Sequence, residues 1–135
     1  MTKAELILAL KDKNSSFCKT VDVLSDDDFI YAPDEKWSAA QQLDHLCRST
    51  KPLVPATLLP LFVLRLIFGK ANRPSLTYNE LVEKYRMKLQ EGYKATGSYI
   101  PPKIYAEQKH FLTNRLTRNI SSICKNIDLL SEEEL

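Results

Sequence analysis

The chain has 135 residues, long enough for one domain with a real core, and its 44% hydrophobic content excludes wholesale disorder. Its 19 basic and 17 acidic residues nearly cancel to a net charge of +2, which gives no pull towards nucleic acid or an acidic membrane. Cys18, Cys47 and Cys124 lie far apart with no C-x-x-C pair, a usage that suits reduced thiols and a cytoplasmic setting.

The N-terminal MTKAELILALKDK has too short an apolar run for a signal peptide and no small-residue cleavage site. Thr2-Lys3-Ala4-Glu5 reads as a capping box. Leu6, Leu10, Phe17, Val21 and Leu24 then recur at helical spacing and predict a helix over 3–24. Ser25-Asp26-Asp27-Asp28 breaks that pattern, and a linker is expected through Pro33 to Lys36. Ser38-Ala39-Ala40-Gln41 is a second capping box, opening a helix over 38–50 with an apolar stripe of Ala39, Leu43, Leu46 and Cys47. Pro52, Pro55 and Pro60 each remove a donor and favour a kink or a break. Leu58 to Phe68 is strongly apolar and continues as a bent helix, too short and too interrupted to span a membrane. Gly69 to Pro74 is a turn-rich stop.

Thr77-Tyr78-Asn79-Glu80 is a third capping box, predicting a helix over 77–95. Leu81, Tyr85, Leu89 and Tyr93 share one face, and Gly92 or Gly97 ends it. Pro101-Pro102 is a rigid connector. A last helix is expected over 105–130, with Leu112, Leu116, Ile120, Ile123, Cys124 and Ile127 inward. No strand pattern competes, and no repeat or second domain is visible. The reading is an all-α protein in which residues 1–135 form a single domain.

The residues that carry chemistry are few. On a helical wheel His45 lies opposite Leu43, with Gln41 and Ser49 one turn away, so it occupies a polar face. His110 stands beside the last apolar stripe and reads as a surface residue. There is no H-x-x-x-H, so nothing in the chain completes a metal site around His45. Cys47 and Cys124 fall on apolar stripes, where a thiol behaves as a small hydrophobe, and Cys18 flanks one. Arg115, Arg118, Lys103, Lys109 and Lys125 make a solvated basic face without aromatic interleaving.

Trp37-Ser38, six residues, then His45-Leu46 resembles the second-helix signature of the DinB/YfiT-like superfamily. Leu24-Ser25-Asp26-Asp27-Asp28, the Pro33 linker and Lys36-Trp37-Ser38 resemble the same region. The resemblance is good over residues 2–50 and looser beyond. Residues 105–130 are similar to the family's third bundle helix, and 53–100 to an enlarged connection after the second. It implies a four-helix bundle of up-down-down-up type, often dimeric, that binds a divalent metal through three histidines. Some members are thiol S-transferases. Carried over residue by residue, only His45 matches, as the first metal ligand. The other two ligands would come from an H-x-x-x-H on a C-terminal helix, and Ser131 to Leu135 is where the linker to it would begin.

The resemblance therefore implies a DinB-like metal-dependent enzyme, with a thiol-dependent S-transferase in view and its metal site incomplete here. The alternative is a non-catalytic binding or interaction protein on the same scaffold. Zinc or nickel is expected only if the C-terminal helix supplies ligands, and none for the 135 residues alone. No catalytic residue is assigned. A homodimer is expected, because three bundle helices leave an apolar groove open and Leu61 to Phe68 is apolar around its circumference. A small-molecule substrate or a low-molecular-weight thiol is the implied ligand, with no nucleic acid and no membrane as partners.

Overall fold

A computed structural model describes residues 1–34, 36–69, 74 and 76–131. Among them the structure is helical without strands: α1 (Lys3–Asp22), α2 (Asp26–Ile30), α3 (Ala39–Thr50), α4 (Leu53–Ala56), α5 (Leu61–Phe68), α6 (Tyr78–Gln90) and α7 (Lys109–Leu129). Short 3₁₀ turns at Gly97–Tyr99 and Ala106–Gln108 lead into α7. The all-α class is as expected, and the four long helices fall where capping and periodicity place them.

All three capping boxes form. Thr2, Ser38 and Thr77 each accept from the backbone N–H three residues on, and Glu5, Gln41 and Glu80 accept from the cap's own N–H in return. Each reciprocal pair satisfies two donors that the first helical turn leaves orphaned. At the far end of α6, Glu91 closes the helix and Gly92 follows at φ 80°, the left-handed conformation that a helix stop needs and only glycine adopts without strain.

α7 is the spine. α1 and α3 both pack along it, α4 touches its later turns, and α2 lies against α3. The core joins Val21 of α1, Phe29 of α2, Ala40, Leu43 and Cys47 of α3, Ile104 of the connector, and Leu112 and Leu116 of α7. Two asparagines seven residues apart on α7 fasten the helices beside it. Asn119 Nδ2 donates to the Cys47 carbonyl at 3.2 Å and to Thr50 Oγ1 at 3.0 Å. Asn126 Nδ2 donates to the Val54 carbonyl and to Thr57 Oγ1, both at 2.9 Å. Carbonyls near the ends of α3 and α4 thus take a further donor from α7 across the interface.

Three expectations need correction. The Ser25–Asp28 run is not a linker: Ser25 caps α2, three aspartates occupy its positive end, and Phe29 is fully buried. Leu46 is exposed, because the buried face of α3 turns through Ala40, Leu43, Asp44 and Cys47. Residues 58–68 do not form one bent helix. α4 ends at Ala56 and α5 starts afresh after Pro60, whose ring cannot supply the donor that continuity requires. Leu81, Tyr85 and Leu89 share an exposed face of α6, and Tyr93, beyond the end of that helix, is exposed too. The expected turn at Gly69 to Pro74 falls mostly on residues 70–73, and the expected C-terminal linker on 132–135, outside the described residues.

Candidate functional site

His45 sits midway along α3, half-buried rather than fully solvated. Its Nδ1 lies 2.8 Å from the carbonyl oxygen of Tyr99. A carbonyl only accepts, so Nδ1 carries the proton and donates. In the neutral ring Nε2 then holds the lone pair. Ser49 Oγ, one turn on, is 3.5 Å from Nε2. The Trp37 ring packs against the imidazole with centroids 5.0 Å apart and planes tilted by 52°. Trp37 directly precedes the Ser38 cap, so the geometry that starts α3 also walls one side of the histidine.

The 97–99 turn that meets His45 is clamped twice. Arg48 Nη1 donates to the Ser98 carbonyl at 3.1 Å. The same guanidinium is paired through Nε with Asp44, a carboxylate that is almost wholly buried. Asp44 and Arg48 are one turn apart on α3, on either side of His45, and this spacing lets the buried acid aim the arginine at the loop.

Beyond His45 opens a cleft of about 490 Å³ between α3, the C-terminal half of α6 and the 93–99 loop. Tyr85, Lys88, Leu89, Tyr93, Lys94 and Tyr99 line it with His45. Among the described residues, the lining carries two lysines and no carboxylate. Lys88 Nζ is 2.8 Å from Glu91 and lies over the Tyr93 ring at 5.7 Å. The helical spacing of Tyr85, Leu89 and Tyr93 was visible in the sequence, where it placed them on one face without saying what that face meets. The roles of Lys88, Lys94, Tyr99 and Arg48 had no sequence signal, because the loop contact joins residues about fifty positions apart.

The remaining candidates are separate from this cleft. His110 is exposed on α7, and its Nε2 is 2.8 Å from Asn114 Nδ2. All three cysteines are buried free thiols. Cys47 Sγ donates to the Leu112 carbonyl at 3.3 Å, and burial pushes its pKa up to about 11 despite the opposing pull of Arg115. Burial raises the Cys124 thiol as well. Both are the wrong way for a nucleophile at neutral pH. Among the described residues, no group of three or more histidine, cysteine, aspartate or glutamate side chains could hold a metal ion. No described helix is long and apolar enough to cross a membrane.

No family model matches the chain, and no curated protein or solved structure shows significant similarity to it.

Proposed function

We propose that the His45 end of the bundle is the working end of a DinB-like metal-dependent enzyme, with thiol-dependent S-transfer as its reaction class and His45 as one metal ligand. One observation carries the reading. The Tyr99 carbonyl takes the Nδ1 proton, which fixes the ring and leaves Nε2 as the electron-pair donor. Metal-binding histidines are oriented in this way by a carbonyl or carboxylate behind the ring. The described residues bring one imidazole and no more, whereas a catalytic zinc needs three protein ligands. They do not complete the site, so further donors have to come from outside the described residues or from a second copy of the chain.

A homodimer belongs to the same proposal. Phe62, Leu66, Ile67 and Phe68 of α5 are all largely exposed, more apolar surface than a lone monomer usually leaves in water. The three free thiols suit the reducing cytoplasm. A second reading, a non-catalytic binding protein on the same scaffold, is favoured by the cleft lining. Its lysines and tyrosines hold a ligand without requiring a reaction.

Zinc titration of the intact chain, read at the ¹⁵N-labelled histidine rings, tests the metal reading. His45 Nε2 is expected to respond with weak affinity, on the order of millimolar, as suits a single protein ligand. His110 is expected to stay still, because Asn114 already occupies its Nε2. An unresponsive His45, or equal responses at both rings, overturns the ligand assignment.

A further inference from the structure

The cleft beside His45 has a chemical character of its own. Among the described residues, the side chains that line it are rich in hydrogen-bond donors: two ammonium groups, three phenols and the Thr96 hydroxyl. His45, whose one N–H is engaged by the Tyr99 carbonyl, adds an acceptor, and no described side chain of the lining carries negative charge. Glu91 holds Lys88 from outside the lining, at 2.8 Å, which positions that lysine and offsets part of its charge. Lys94 has no ion-pair partner among the described residues.

The walls are as distinctive. Tyr85, Tyr93 and Tyr99, all exposed, border the open cleft, and Leu89 adds an apolar residue. About 490 Å³ falls within the ordinary range for small-molecule sites. The loop side is braced by the buried Asp44 through Arg48 and by His45 itself. The other groove of similar size, between α1 and α7, lacks this character. It mixes Lys11 and Lys125 with Asp128 and the apolar Ile7 and Leu8.

We propose that the His45 cleft binds a small organic anion, a carboxylate or phosphate monoester carried on a flat, aromatic body. Lys94 takes the anionic group, with Lys88 supporting it, and the body stacks against the tyrosine rings. Charge attraction and hydrogen bonding act together at the lysine end, and ring contact selects a flat body over a bulky aliphatic one. This rests on the reading of the His45 end as the functional end and names its ligand class.

The test is titration of the intact, ¹⁵N-labelled chain with phenyl phosphate, benzoate, inorganic phosphate and benzyl alcohol in parallel. Phenyl phosphate or benzoate is expected to give saturable shifts at Tyr93, Lys94 and Tyr99, and whichever binds tighter identifies the anionic group. Inorganic phosphate is expected to bind about fivefold more weakly for want of the ring, and benzyl alcohol about tenfold more weakly for want of the charge. Lys94→Gln is expected to weaken binding about fivefold, while Lys125→Gln in the other groove leaves it unchanged. No saturable shift by about 10 mM, or unchanged affinity in Lys94→Gln, overturns the proposal. Zinc titration of the unsubstituted chain, run beside the anion titrations, separates the two readings. A His45 response without anion binding rejects only the ligand class, and anion binding without a His45 response rejects only the metal ligand.

Discussion

Asp44 and His45 are neighbours in sequence and face different problems. Asp44 is buried, and the only partner of its carboxylate among the described contacts is Arg48, whose side chain is one-third exposed. Removing the arginine strands a buried charge, whereas removing the charge leaves an arginine that can still reach water. Arg48→Met is therefore expected to cost about 2–3 kcal/mol, below the range for fully buried pairs because Arg48 is partly solvated, and Asp44→Asn about 1 kcal/mol. Urea midpoints of the two variants check this, and an equal or reversed order contradicts it. Arg48→Met also releases the Ser98 carbonyl, so amide exchange in the 97–99 turn should speed up. The sequence singled out His45 and passed over Asp44 and Arg48. A histidine after a tryptophan-serine cap is conspicuous in one dimension, but an acid that aims an arginine at a distant loop is visible only once the loop is in place.

The elements were legible wherever their signals are local. A capping box needs four consecutive residues and a stripe needs one helix, so α1, α3, α6 and α7 could be anticipated to within a few residues. α2 was missed because five residues are too few for periodicity to show, although Ser25 is an ordinary cap. The direction that α6 faces was not legible, because the period of a stripe says which residues share a face and not what covers it. The boxes also make a prediction in acid. Hydrogen bonds from the backbone N–H and hydroxyl of Thr2 and Thr77 hold the Glu5 and Glu80 carboxyls below the usual 4.5. A carboxyl whose folded value is depressed stabilises the helix above its unfolded value, and that support is lost as pH falls through the folded value. Helical circular dichroism is thus expected to decline as pH drops below about 4.5, with a smaller decline in the Glu5→Gln, Glu80→Gln double variant. An identical acid profile for the two proteins would mean that the boxes carry no charge-dependent stability.

At the scale of the whole molecule, α7 shares one core with α1, α2 and α3 and holds α4 beside it, while α5 and the outward stripe of α6 add surface that the core does not use. Burial returns roughly 25 cal/mol per Å², so joining two such surfaces favours a dimer by several kcal/mol before the cost of association. Sedimentation at micromolar concentration is expected to show a dimer, and Phe62→Ser with Leu66→Ser to shift it towards monomer. A wild-type monomer would reject self-association through α5. The cleft lies at the His45 end of this frame, and its function hangs on one proton. The Tyr99 carbonyl is held to impose the Nδ1–H form on His45 and so leave Nε2 unprotonated, beside Ser49 Oγ. Long-range ¹H–¹⁵N spectra of the metal-free chain at neutral pH read that proton directly. The expected result is a His45 ring protonated at Nδ1 with a bare Nε2, and a ring protonated at Nε2, or averaging freely between the two forms, would contradict it.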